Sequence, residues 1–331
     1  LVYNSVSANS NGGTELLCRE MERRVGPEIL DQFQVFPSRV HAPLDPTKWR
    51  ILWEHDLPGD PEAKHLLHGG WTKWHRIVMV SAWQKEGFLR SYEGLPPSKV
   101  ITIQNAINPI DATARKPYVP GEPIRLIYTS TPHRGLEILA PVFAHLSEEF
   151  PEVELDVFSS FGIYGWPQED ERFKAVFDQL RAHPKVRYHG AQPNDVVRKT
   201  LVDAHILAYP SIWPETSCLC LIEAMSAGVT CVHPDFAALP ETAANWTHMY
   251  QWHEDPSHHA QRFYNVLRQT VIDLKANPQA FFNRNLGQIM YTNMFYNWDD
   301  RQRTWAGVLN SIVAADEPRE IQDEVMVYTS K

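Results

Sequence analysis

Short runs of β-branched and aromatic residues alternate with longer stretches of helical periodicity along most of the chain, and this alternation constrains the fold more than any other feature. It predicts an α/β architecture with parallel sheets. In the first part, strands are expected near residues 1–6, 34–36, 50–53, 76–80 and 100–103. A helix is expected over 14–24, opened by Gly12-Gly13, with Leu16, Leu17, Cys18 and Met21 on one side. A second, more regular series predicts strands at 124–129, 153–158, 186–188, 206–209 and 229–232. Its helices fit 136–150, 171–182, 195–203 and 219–227, followed by long helical patterns from His258 to about Val313 and an acidic tail after Ala315. Between the two series, Pro109, Pro117, Pro120, Gly121 and Pro123 concentrate turn formers, so residues 109–123 read as a connector between a first domain, 1–108, and a second, 124–295.

The length agrees, since 331 residues make about two domains at ~150 residues each. Hydrophobic residues at 43% and charged residues at 21% let each half bury a core, which excludes disorder as the dominant state. A net charge of -9 with scattered basic residues would repel a phosphate backbone, so no nucleic-acid partner is expected. Apolar runs such as Ile77-Val78-Met79-Val80 fall far short of the ~20 residues that cross a bilayer. No basic stretch followed by an apolar one opens the sequence, so no signal peptide is read. Cys18, Cys218, Cys220 and Cys231 have neither zinc-ligand spacing nor a disulfide framework, and read as buried thiols in a reducing, cytoplasmic compartment.

Two doubly wound halves would bind a ligand at the carboxyl ends of their sheets, across the cleft between them. The dinucleotide glycine fingerprint, the Walker lysine loop and an Asp-x-Asp pair are all absent. Phosphate chemistry would then rest on backbone amides, helix N-termini and cationic side chains, with no cofactor and no metal expected. The richest stretch runs from Tyr209-Pro210-Ser211 through Glu215-Thr216-Ser217-Cys218 to Glu223-Ala224-Met225-Ser226-Ala227-Gly228. A helix beginning near Thr216 or Ser217, both good caps, would present free amides to an anion. Two readings stay open for the glutamates: acceptors for sugar and ribose hydroxyls, or an exposed loop residue at Glu215 and a carboxylate paired with a basic neighbour at Glu223.

The Glu-x7-Glu pattern between that strand end and Glu-Ala-Met-Ser-Ala-Gly resembles the retaining nucleotide-sugar glycosyltransferases of family four. The resemblance implies the GT-B fold: two Rossmann-like domains facing each other across a cleft, with a C-terminal helix, 296–315, crossing back to the first. It implies that Glu215 contacts the donor sugar, that Glu223 holds the ribose, and that the amides of Thr216, Ser217 and Cys218 approach the sugar and diphosphate. Tyr128-Thr129-Ser130-Thr131-Pro132-His133-Arg134-Gly135 is similar to the family's diphosphate turn. There Arg134 serves as the phosphate cation, Thr129 stands where an Arg is usual, and a hydroxyl of Ser130 or Thr131 would stand in for it. Asn11-Gly12-Gly13 resembles the family's glycine loop, with Gly12 and Gly13 close to the donor. His55, in Glu54-His55-Asp56, matches a histidine that reaches the donor sugar, and His189-Gly190 resembles the turn beside the base. Ser81-Ala82-Trp83 and Asn105-Ala106-Ile107 resemble loops lining the cleft.

The activity implied is transfer of a sugar, with retention, from a UDP- or GDP-linked donor to a hydroxyl of a glycan, glycolipid or other acceptor. Glu215, His55 and Arg134 are its candidate catalytic residues. Peripheral membrane contact enters only if the acceptor is lipid-linked. The other readings are a sugar-nucleotide epimerase or phosphorylase of the same architecture, and a binding protein that has lost catalysis. Thr129 is the feature that favours the last of these.

Overall fold

A computed structural model describes residues 12–40 and 42–315. The strand expected at 1–6, Asn11 and the acidic tail after Ala315 lie outside the described residues. The chain divides into two compact units: Leu1–Ile107 with Tyr296–Lys331, and Asn108–Phe295.

The first unit runs α1 (Gly13–Val25), α2 (Pro27–Leu30), β1 (Phe33–Pro37), β2 (Trp49–Glu54), β3 (Arg76–Met79), α3 (Ala82–Ser91) and β4 (Val100–Thr102), with 3₁₀ turns over Pro61–Lys73. Helix α1 buries Leu17, Cys18, Met21 and Val25, a stripe of helical period, and Glu20 pairs outside it with Arg23 and Arg24. The strands form a parallel sheet in the order β1-β2-β3-β4. Strand β2 is buried at all six positions, as its near-continuous apolar run requires of a parallel-sheet interior.

The second unit runs β5 (Ile124–Tyr128), α4 (Leu136–Glu149), β6 (Val153–Val157), α5 (Lys174–Ala182), β7 (Val186–Tyr188), α6 (Asn194–Asp203), β8 (Ile206–Ala208), α7 (Leu219–Ser226), β9 (Thr230–Pro234), α8 (Leu239–Ala243), β10 (His248–Tyr250), α9 (Pro256–Ala276) and α10 (Pro278–Phe295). Its six strands are all parallel in the order β10-β9-β8-β5-β6-β7. The strand sequence reverses direction between β5 and β8, which makes this a doubly wound sheet with a switch point at that pair.

Two local expectations change. The helix read over 171–182 is α-helical only from Lys174, because Pro167 opens a separate 3₁₀ stretch, Pro167–Phe173. Strand β10 has no counterpart among the expected strands. Residues 109–123, read as the connector, fall in the second unit, where Ile110 and Tyr118 lie in the core and Arg115 donates to the carbonyls of Val202, Ala204 and Ala227 at 3.0, 2.7 and 3.2 Å. Those carbonyls lie at the ends of α6 and α7, where intrahelical donors run out.

The last helix, α11 (Trp298–Ala314), is capped by Asn297 and packs in the first unit. Trp305, fully buried, meets Trp53 edge-on at 4.9 Å, and Asp299 pairs with Arg24 at 2.6 Å. The amide of Ile107 donates to the Tyr296 carbonyl at 2.8 Å, which ties this helix's approach to the end of the first unit's leading segment. Among the described residues no helix is long and apolar enough to cross a membrane.

Candidate functional site

Strands β5 and β8 are neighbours at the point where strand order reverses, the position at which doubly wound sheets bind ligands beyond their carboxyl ends. The loops leaving those ends touch. Gly135 sits at φ +117°, and a Cβ on it would lie 2.1 Å from the Pro210 carbonyl oxygen. Only glycine accepts both that conformation and that approach. The contact sets Arg134 against Glu215, whose two carboxylate oxygens accept from Arg134 Nη1 at 2.7 and 2.8 Å. Tyr209 Oη donates to Glu215 Oε1, and the Glu215 carbonyl accepts from the Ala238 amide at 3.1 Å. Glu215 is 3% exposed, so it is not a solvated loop residue. Burial works against the Arg134 charge, but Glu215 more than offsets it, and the guanidinium stays protonated well above its usual range.

On the loop that carries Arg134, Thr129 Oγ1, Thr131 Oγ1, His133 Nδ1 and Arg134 Nε are buried with no hydrogen-bond partner, as is Ser159 Oγ just beyond the neighbouring strand β6. A buried polar group left unsatisfied costs about 1–3 kcal/mol, so five on the carboxyl ends of adjacent strands make a polar site rather than an accident of packing. The His133 ring stacks on Phe161 at 5.2 Å and meets Trp213 edge-on at 4.9 Å. Burial lowers its pKa to about 4, so it is a neutral ring at pH 7. Ser130 is half-buried beside these groups.

The glutamate stretch differs locally from expectation. Helix α7 starts at Leu219 with Cys218 as its cap residue, and no side chain caps it. Thr216 and Ser217 lie in the turn before it, because the first helical bond runs from the Ile222 amide to the Cys218 carbonyl. Cys218 is buried, its Sγ 3.4 Å from that of Cys220, and burial raises its pKa far above a reactive range. Glu223 takes the basic-neighbour alternative: Arg198 Nη1 donates to it at 2.8 Å and Asn194 Nδ2 to both its oxygens at 3.2 Å. Burial raises the Glu223 pKa against the pull of these two partners. Neither Arg198 nor Asn194 stands out in the sequence.

His189 stacks on Phe158 at 4.3 Å and shares Asp156 with Arg187, its Nε2 lying 2.7 Å from Oδ1. Gly190 follows at φ +66°. Gly12, Gly13 and His55 belong to the first unit: Gly12 caps α1, Gly13 opens it, and His55 follows β2 with its amide donating to Ser38 Oγ at 2.7 Å. Burial takes the His55 pKa down to about 3, which makes it a neutral hydrogen-bonding ring and not an acid.

Residues 120–276 match the family described as glycosyl transferases group 1. No curated protein matches the sequence. Among solved structures, the chain is similar to sucrose-phosphate synthase from Thermosynechococcus elongatus at 15% identity and a TM-score of 0.60, over 82% of this chain and 69% of that one. It is similar to a glycosyltransferase from Rickettsia africae at 14% identity and a TM-score of 0.59, over 93% and 84%. Anabaena HepE, in complex with UDP and glucose, aligns at 14% identity and a TM-score of 0.61, over 91% and 83%. At these identities the likeness is one of fold.

Proposed function

We propose that this chain, whose residues 120–276 form a group 1 glycosyltransferase domain within a GT-B fold, transfers a sugar with retention from a nucleoside diphosphate donor, UDP- or GDP-linked, to a hydroxyl of a glycan or lipid-linked acceptor. The observation that carries this reading is the Arg134–Glu215 pair at the strand-order reversal, with buried polar atoms that lack partners on the same loop and at the adjacent strand end. One nitrogen of the Arg134 fork is held by Glu215 while Nε has no protein partner, which leaves an edge suited to a phosphoryl oxygen. Hydroxyls of Thr129, Thr131 and Ser159 supply neutral donors where the family uses a second cation. The α7 N-terminus adds its dipole.

In this mechanism the bond from the anomeric carbon to the diphosphate breaks first. Its negative charge grows on the leaving oxygens and is met by Arg134 and the hydroxyls, a preorganised arrangement that stabilises the departing group. The acceptor hydroxyl oxygen then bonds the anomeric carbon on the same face, and its proton passes to the departing diphosphate oxygen. Glu215, held by Arg134 and Tyr209, accepts hydrogen bonds from sugar hydroxyls. Glu223, fixed by Arg198 and Asn194, keeps lone pairs for the ribose hydroxyls.

The test is a thermal-shift panel of nucleoside diphosphates and their sugars, in EDTA and again with magnesium. A ligand that binds the folded state raises the melting temperature by mass action. A shift with one base in EDTA supports the reading, and flat responses to every nucleotide at millimolar concentration overturn it. Binding without turnover of the matching nucleotide sugar would move the assignment to the binding-only reading. Glu223→Ala is expected to weaken free nucleotide roughly tenfold, the value of one charged hydrogen bond. Unchanged affinity by calorimetry would remove the ribose role.

A further inference from the structure

Helix α10 is built inside out. Its buried positions are polar. Asn285 donates to Thr230 Oγ1 at 3.1 Å, Gln288 donates to the carbonyls of Met225 and Val229 at 3.1 and 2.9 Å, and Thr292 Oγ1 donates to the Gln288 carbonyl at 2.7 Å. Ser226 of α7 donates to Asn293 Oδ1 at 2.5 Å. These bonds fix the helix on α7 and on the start of β9, so amides hold it where an apolar stripe usually would. The apolar side chains point the other way: Leu286 is 41% exposed, Met290 73% and Met294 70%. One exposed apolar side chain needs no explanation. Three in a row on a firmly held helix mark a contact surface.

Spacing and charge decide what covers it. Leu286, Met290 and Met294 lie four residues apart, so they form a single ridge about 12 Å long. The ridge is symmetric about Met290. A two-fold axis through that residue lays Leu286 against Met294 of a second copy and each ridge into the groove beside the other, the commonest packing of two helices. Charge selects the same occupant. Arg284 is the one charged residue of α10, and its Nη2 donates to the carbonyls of Asn245 and Trp246 at 3.4 and 3.2 Å. Two copies of a chain with net charge -9 repel, and a face without carboxylates is where they can meet. A helix that lies on a membrane surface carries several Lys and Arg beside its apolar face, and α10 does not. A single helix face covers less than the ~800 Å² per partner of a stable interface, so the contact is a weak one.

We propose that the Leu286–Met290–Met294 ridge of α10 is a self-association surface, through which two copies of this chain pair antiparallel about a two-fold axis at Met290, with a dissociation constant on the order of 100 µM. The pairing goes beyond the transferase reading and does not depend on it, since no residue of the ridge is assigned to donor or acceptor.

Sedimentation equilibrium on the full chain, from about 5 to about 500 µM and at about 50 and about 500 mM NaCl, reads the pairing directly. A reversible equilibrium between monomer and dimer is expected. It should tighten severalfold at the higher salt, because screening weakens the repulsion between two negative copies and spares the apolar contact. Met290→Glu sets two carboxylates against each other at the axis and should raise the dissociation constant at least tenfold. Its melting temperature should stay within about 2 °C of the parent, since the side chain is 73% exposed. Met290→Leu keeps an apolar side chain and should pair as the parent does. A monomer throughout the range overturns the proposal, and so does pairing that weakens with salt. A Met290→Glu variant that pairs like the parent would put the contact on another face. Flotation of the monomeric chain with vesicles of phosphatidylcholine and phosphatidylglycerol, lost in Met290→Glu, would make a lipid surface the occupant and overturn it as well.

Discussion

Arg134→Ala is expected to lower the melting temperature of the chain by roughly 10 °C, because removing one member of a buried ion pair costs about 3–5 kcal/mol. The cost comes from what stays behind. Glu215 remains 3% exposed, and of its side-chain partners only the Tyr209 hydroxyl is left among the described residues. Glu215→Gln placed on top of Arg134→Ala should recover most of the loss, since the amide needs no counter-charge. The double-mutant cycle then isolates the pair from the two single truncations. Binding should respond separately. If Arg134 Nε holds a phosphoryl oxygen, Arg134→Ala weakens nucleoside diphosphate by roughly ten- to a hundredfold, the worth of a charge-assisted hydrogen bond, and leaves the free nucleoside unaffected. Equal losses for nucleoside and nucleotide, measured by calorimetry below the variant's melting range, would show that the crevice has collapsed and that Arg134 holds structure rather than substrate. Arg134→Lys tests the geometry: it keeps the charge but loses the fork, and cannot hold Glu215 and a phosphate together.

Much of the second unit is legible in the sequence because parallel strands buried on both faces announce themselves as apolar runs. The runs at Ile124–Tyr128, Val153–Val157 and Val186–Tyr188 fall where β-branched residues cluster. Strand β10, His-Met-Tyr, carries no such signal and exists because β9 offers it an edge. The pairings within the site are out of reach for a different reason. Arg134 and Glu215 are 81 residues apart, and Arg198 and Glu223 are 25 apart on different helices. Nothing local in the chain encodes which cation will face which carboxylate. The start of α7 misleads a sequence reading because Thr216 and Ser217 are the better capping residues, yet the turn approaching Ala238 delays the helix to Leu219. In the first unit, nothing in the composition of Glu54-His55-Asp56-Leu57-Pro58 marks its carboxyls as buried. It takes the buried Gln84 amide, thirty residues away, to draw those carboxyls below the surface.

Gly135→Ala should be nearly as damaging as the loss of Arg134, for a purely steric reason. Two terms add. At φ +117° an alanine lies in strained backbone territory, worth about 1–3 kcal/mol. Its Cβ would also sit 2.1 Å from the Pro210 oxygen and 2.8 Å from the carbonyl carbon. Those are backbone atoms between Tyr209 and Ser211, both fully buried, so neither loop can retreat cheaply. Forcing atoms into such a contact costs about 1–3 kcal/mol more. Gly165→Ala separates the terms, because Gly165 also has positive φ, +78°, and a methyl group added there would meet nothing within 4 Å. It should show a backbone penalty of about 1 kcal/mol and nothing further. The excess at Gly135 is then the cost of pushing β5's loop off β8's, and that displacement pulls Arg134 away from Glu215. Nucleotide binding should accordingly fall with Gly135→Ala even at temperatures where the variant is folded, and it should survive Gly165→Ala. If Gly135→Ala melts no lower than Gly165→Ala, the two loops are free to part, and the close approach at Pro210 does not set the site.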